Sequence, residues 1–172
     1  DIFEQKSLFD EEYADCPAQY SNAKGTPTVK WENCKELLGD IDSSNEHYVK
    51  VPENLIVIDF DIPDENGNKC FEKNLEAAFA GESQVRNKCL EKNLEAAKRW
   101  PKTYVETSKS GEGLHLHYLY SGDVNQLSRI FDENIEVKVF NGNSSLRRKL
   151  VKCNNIPIAT NLACLASEAK KS

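Results

Sequence analysis

Leu55-Ile-Val-Ile-Asp59-Phe-Asp61 is the stretch on which the fold turns. It is an apolar, β-branched run that closes on two alternating carboxylates and is followed by Pro63 and an Asn66-Gly67 turn signal. Branched residues at this density, bounded by turn residues, predict a strand in the core of a sheet. Side chains alternate across a strand, so Asp59 and Asp61 share one face and Phe60 takes the other. Two carboxylates on one face repel each other. A divalent cation between them relieves the repulsion, and oxygen ligands of this kind suit Mg²⁺ or Mn²⁺. The bland alternative is a strand that runs out into an acidic loop, since Asp64 and Glu65 follow.

Working outward, the pattern upstream is weak over residues 1–25. It then predicts a short helix over Trp31–Leu38 and a strand over His47–Val51. Downstream lies a duplication: Lys69-Cys-Phe-Glu-Lys-Asn-Leu-Glu-Ala-Ala78 recurs as Lys88-Cys-Leu-Glu-Lys-Asn-Leu-Glu-Ala-Ala97. Both copies are rich in helix formers, and two copies are too few for a solenoid, so they predict one lengthened helical connection. Strands are predicted over Thr103–Thr107, Leu114–Tyr120 and Ile135–Phe140, with a helix over Val124–Asp132, a short edge strand over Ile156–Ala159 and a frayed helix after Asn161. From Leu55 to Phe140 the order is β-α-β-β-α-β, that of a ferredoxin-like or RNA-recognition-type sheet. The expectation is an α/β chain of the α+β kind: one domain over residues 1–172, with an N-terminal α/β extension (1–50), a catalytic core (51–160) and a tail (161–172).

Charged residues make up 29% and hydrophobic ones 39%, a soluble globular composition, and no apolar run approaches the length of a membrane span. The six cysteines contain no C-x-x-C pair, which predicts reduced thiols in a cytoplasmic protein and argues against a zinc site. A net charge of −6 argues against nonspecific coating of nucleic acid but leaves room for a local basic patch. The chain opens at Asp1 and holds no methionine, which predicts a processed or excised piece of a longer protein.

Chemistry collects on the polar faces of three strands expected to be neighbours: Asp59 and Asp61, then His115 and His117, then Glu136 and Lys138. Their opposite faces are apolar, as in a sheet that packs helices on one side and leaves the other open. Adjacent strands lie ~4.8 Å apart, close enough for carboxylates on both to share metal ions. Two such ions are the apparatus of nucleotidyl transfer and of phosphodiester hydrolysis. The loop Ser108-Lys-Ser-Gly-Glu-Gly113 enters the histidine strand, and Lys109, Ser110 and the backbone at Gly111 and Gly113 are suited to cradling phosphate oxygens.

Asp59-Phe-Asp61, Ser110-Gly-Glu-Gly-Leu-His115 and Ile135-Glu136 together resemble the three ordered motifs of archaeo-eukaryotic-type primases, more narrowly the primase-polymerase domains of phages and plasmids. The resemblance spans roughly Val51 to Ala159 and takes in Leu146-Arg-Arg-Lys-Leu and Cys153-Asn-Asn-Ile-Pro-Ile-Ala. It implies a template-directed DNA primase or polymerase. Asp59 and Asp61 would bind two Mg²⁺ or Mn²⁺ ions, with Glu136 in the third acidic position where Asp is usual. It also implies that Ser110 and His115 hold the incoming nucleoside triphosphate. Its partners would be a single-stranded DNA template and a primer, in the host cytoplasm if phage-encoded, with a helicase domain in the parent chain left open. Beside them, His117, Lys138, Arg147 and Arg148 are candidates for the nucleotide, and Lys149 and Lys152 for the template backbone.

A second reading takes His115-Leu-His117 as the metal-binding strand of a rolling-circle nicking endonuclease. That chemistry needs a nucleophilic tyrosine on a helix, and no tyrosine here sits in a clear helical pattern. A third reading, passive binding of single strands by the sheet face, wants exposed aromatics where this sequence has acids.

Overall fold

The computed structural model describes residues 7–62, 88–98, 100–109, 113–132 and 134–160. The first repeat copy and the tail after Thr160 lie outside them. The main sheet is built from β3 (Leu55–Phe60), β4 (Val105–Thr107), β5 (Leu114–Leu119), β6 (Ile130–Asp132) and β7 (Ile135–Val139), ordered β4-β5-β3-β7-β6 and antiparallel throughout. A short β9 (Ala159–Thr160) joins β5 in parallel. The acidic strand is therefore central, between the histidine strand and the Glu136 strand, as the element order predicts.

Alternation sorts the two faces. Ile56, Ile58 and Phe60 on β3, Leu114, Leu116 and Tyr118 on β5, and Ile135, Val137 and Val139 on β7 form one buried layer. The second repeat copy covers it as α2 (Lys88–Ala97), whose Leu94 and Ala97 pack there with Trp100. The Trp100 ring stands edge-on to Phe60 at 5.7 Å between centroids. Buried Asn93 reaches past the end of β3, where its Oδ1 accepts the Ile62 N–H at 2.9 Å. The helix thus fixes the strand end that carries Asp59 and Asp61.

The opposite face is not open along its whole length, contrary to the sequence expectation. The N-terminal segment forms α1 (Leu8–Glu12), capped by Ser7, and a small antiparallel sheet of β1 (Ala18–Tyr20), β2 (His47–Val49) and β8 (Leu146–Arg148). Phe9, Tyr13, Ala18, Val49 and Leu146 from this layer close over Leu55, Val57 and Tyr104 in a second core. Among the described residues the sheet is packed on both sides, with one end of one face left uncovered.

Two predicted helices are absent. Trp31–Leu38 is two separate 3-10 turns, Trp31–Asn33 and Leu38–Asp40, because Leu37 pairs as an isolated bridge with Pro17 between them. Val124–Asp132 is a single 3-10 turn, Val124–Gln126, followed by β6, because the exposed edge of β7 captures Ile130–Asp132. The basic run after Asn143 begins as strand β8, with Arg148 turned inward and Arg147, Lys149 and Lys152 exposed. Among the described residues no helix is long and apolar enough to cross a membrane.

Candidate active site

Antiparallel register draws four strands into one row of polar residues. Asp59 stands opposite His115 on one side and Glu136 on the other, and His115 stands opposite Glu106 of β4. Across the sheet the row reads Glu106, His115, Asp59, Glu136. One pleat along the strands, the same face carries His117, Val57 and Lys138.

Asp59 is the focus of the uncovered end. One carboxylate oxygen lies 3.4 Å from His115 Nε2 and the other 3.2 Å from Lys138 Nζ. Burial alone would raise the Asp59 carboxyl, but the His115 ring and the Lys138 ammonium outweigh it and hold the group below the usual carboxylate range. Asp61 follows at the strand end, where its N–H donates to Asn134 at 2.9 Å. Glu136 is exposed beside them.

Asp59 and Asp61 open onto a cavity of about 310 Å³ whose walls also include His115, Lys138, Lys109 and Arg147, whereas Glu136 is not part of its lining. Lys149 also reaches it. Ser108, Lys109 and Gly113, the described residues of the Ser108–Gly113 loop, also line it. Ser108 N–H donates to Gly113 O at 2.9 Å, and Ser108 Oγ accepts the Gly113 N–H at 3.0 Å. Gly113 is required by packing, because a Cβ there would sit 2.8 Å from the carbonyl oxygen of Phe60. Ser110 and Gly111 lie outside the described residues. Lys152 is exposed and contributes its backbone carbonyl to Thr107.

One candidate is corrected. His117 does not face the cavity: it is fully buried, with edge-on contacts to Phe9 and Tyr104, and Nε2 lies 3.7 Å from Glu106. Burial pushes its pKa down to about 3, against the pull of Glu106. His115 and His117 therefore do not form the two-histidine metal site that a nicking endonuclease needs.

Arg148 also borders the cavity, but from inside the fold. Its guanidinium is 1% exposed and makes a fork onto Glu106, Nε to Oε1 at 2.8 Å and Nη2 to Oε2 at 2.9 Å, while Nη1 meets Asp10 at 2.7 Å. It packs over the Phe9 ring. Glu106 also accepts from Tyr104 at 2.6 Å. Burial opposes its charge, yet Arg148 above all pulls its pKa down to about 2. Burial and then the Arg148 charge lower the pKa of a neighbouring imidazole, His47, whose Nδ1 donates to Asn45 O at 2.7 Å. Arg148 thus ties the N-terminal layer to the main sheet, and its hydrogen-bonding capacity is spent on protein.

Three residues of the site carried no signal strong enough to mark them from sequence. Glu106 is one, although a charge between Val105 and Thr107 on the strand preceding His115 hints at an inward carboxylate. Asn93 looks like one more polar residue on a helix. Glu46 also lines the cavity and holds both Lys109 and Arg147, at 3.4 Å and 2.8 Å.

The donor chemistry of Asp59 and Asp61 suits a hard divalent cation, since both offer carboxylate oxygens to the same cavity. Among the described residues no three of His, Cys, Asp and Glu converge as a ready-made metal group, and the Asp59 oxygens are turned toward His115 and Lys138. Compared with known protein families and with curated proteins, the chain matches none.

Proposed function

We propose that this protein is a nucleotidyltransferase, a template-directed DNA primase or polymerase serving the replication of a phage or mobile element. The observation that carries the reading is one cavity lined both by acids, Asp59, Asp61, Glu46 and Glu106, and by basic side chains, His115, Lys138, Lys109 and Arg147. Phosphoryl chemistry needs both: carboxylates for divalent cations and fixed positive groups for phosphate oxygens. A simple anion-binding cleft has no use for the acids, and a simple cation site has no use for four basic side chains.

Asp59 and Asp61 would hold Mg²⁺ or Mn²⁺ from the cavity wall, with Glu136 opposite Asp59 as the third acid of the resemblance, and the ions would supply charge neutralisation on the phosphates and activation of the attacking hydroxyl. The chain's own part is positioning. His115 is held against Asp59, which fixes its ring at the cavity, where it would meet a phosphate oxygen. Lys138 neutralises Asp59 and offers its ammonium to the same volume. Lys109 and Gly113 bring side chain and backbone to the mouth, and exposed Lys149 and Lys152 would meet the template phosphates. The partners of this reading are single-stranded DNA, a primer and nucleoside triphosphates.

The test is incorporation of labelled nucleotides on a single-stranded template with Mg²⁺ or Mn²⁺. Extended products are expected, and Asp59→Asn should reduce them by roughly a hundredfold or more while leaving the far-UV spectrum unchanged. An absence of products under every metal and nucleotide combination, or an Asp59→Asn variant as active as the parent, overturns the proposal.

A further inference from the structure

Glu46 sits where the N-terminal layer meets the cavity, immediately before β2. Its carboxylate accepts from Arg147 Nη2 at 2.8 Å on one oxygen and from Lys109 Nζ at 3.4 Å on the other. Two cations from distant parts of the chain, one from the loop after β4 and one from β8, therefore converge on a single anion at the rim of the site. In a chain of net charge −6 such convergence is not the default.

The seat is built rather than incidental. Arg147 stands opposite Tyr48 in the β2–β8 register, and its guanidinium lies 6.0 Å from the centre of the Tyr48 ring. The Tyr48 hydroxyl donates to Gly25 O, and Gly25 adopts φ +77°, a conformation open to glycine at little cost. A Cβ at Gly25 would come within 3.2 Å of Arg147 Nη2, so the absence of a side chain there lets the backbone lie close to the guanidinium. The backbone of Glu46 is itself pinned, its carbonyl accepting the Ser21 N–H at 3.0 Å. Hydrogen bonding to Arg147 is the main reason its carboxyl stays below the ordinary range.

Carboxylate and phosphate oxygens present the same acceptor geometry to a guanidinium and an ammonium. We propose that Lys109 and Arg147 form an anion seat at the rim of the cavity, that Glu46 fills this seat from within the chain, and that a phosphate group of the incoming ligand displaces the Glu46 carboxylate. The inference rests on the nucleotide reading above for the identity of that ligand, but not for the existence of the seat. Glu46 acts as a tethered competitor: it keeps the two cations oriented and sets a threshold that a weakly charged anion does not pass. A polyphosphate, offering several oxygens and more charge, does.

The experiment measures binding of inorganic pyrophosphate by calorimetry, in metal-free buffer at fixed ionic strength, to the full chain and to Glu46→Gln, Arg147→Gln and the double variant. Glu46→Gln should bind roughly threefold to tenfold more tightly, the range expected when one partly exposed ion pair stops competing. Adding Arg147→Gln should cancel the gain. Unchanged or weaker binding by Glu46→Gln, or a gain that survives in the double variant, overturns the seat. Nucleotide incorporation by the same proteins separates the two readings. A pyrophosphate gain with no incorporation by any variant keeps the seat and removes the polymerase. Incorporation without the gain does the reverse.

Discussion

The two ends of one sheet face make the instructive comparison. His115 and His117 are two residues apart on β5 and face the same way, as do Asp59 and Val57 on β3. At one end His115 is 17% exposed beside Asp59 and opens onto the cavity. At the other His117 is sealed beneath Phe9 and Tyr104, next to a carboxylate whose charge is met by a buried arginine. Arg147 and Arg148 repeat the contrast on β8: both border the cavity, but the first is 46% exposed and the second 1%. Period-two alternation decides which face a residue joins, but only the extent of the covering layer decides whether that face meets water.

The sharpest way to break the comparison is to exchange the two arginines for alanine. Arg148→Ala strands Glu106 and Asp10 without their cation, and loss of one partner of a buried pair costs about 3–5 kcal/mol. Arg147→Ala removes a partly exposed partner and should cost within about 1 kcal/mol. Urea unfolding of both variants measures the difference, and comparable losses would show that the two ends are not distinct environments.

His115→Ala probes the open end. It should weaken nucleoside triphosphate binding by roughly tenfold to a hundredfold, the worth of one charge-assisted contact, with Mn²⁺ affinity nearly unchanged. Titration with each ligand separately reads the two effects. A collapse of Mn²⁺ affinity with triphosphate binding intact would make His115 a metal ligand instead.

The smallest effect belongs to the closed end and is read against pH. His117 has its folded pKa depressed to about 3 by burial, so the unfolded chain takes up the proton first. Its contribution to stability is constant above the ordinary imidazole value near 6.5 and is lost as pH falls from there toward 3, at up to about 1.4 kcal/mol per pH unit. His47 is shifted in the same direction and adds to the slope. Glu106, with its pKa depressed, loses its contribution only at lower pH, below the ordinary carboxylate range. Among the described residues neither ring nitrogen of His117 has a hydrogen-bond partner, so His117→Phe should fold and should flatten the loss between pH 6.5 and 5. Denaturation midpoints across that window with the same slope as the parent would contradict the assignment.

What could be read in advance follows from these contrasts. The strands of the main sheet and the facing of Asp59, His115 and Glu136 were legible because alternation over five or six residues is a strong periodic signal. Leu127, Ile130 and Phe131 look like one helical face, yet Ile130 is 63% exposed and belongs to β6. Three apolar residues at spacings of three and four do not distinguish a helix from a turn leading into an edge strand, and the unpaired edge of β7 decided the matter. The cluster Leu146-Arg-Arg-Lys was read by charge when strand alternation was the governing rule. Glu106 and Glu46 stayed hidden because their partners lie 42 and 101 residues away along the chain.

That last separation bears on how the protein comes into being. β2 lies between β1 and β8, so the small sheet cannot close until the chain has been made as far as Leu146–Arg148. Contacts of such long range are costly in loop entropy and form late, and synthesis from the N-terminus adds a real delay. A nascent chain ending short of β8 would lack the cover over Leu55 and Val57, would have no cation for Glu106, and would carry its acidic strand without the arginine wall that faces it. The main sheet can assemble first, as a scaffold with half a site. The cavity is completed only when β8 docks, so a chain interrupted just before Leu146 should expose Leu55 and Val57 and behave as a sticky intermediate without Arg147.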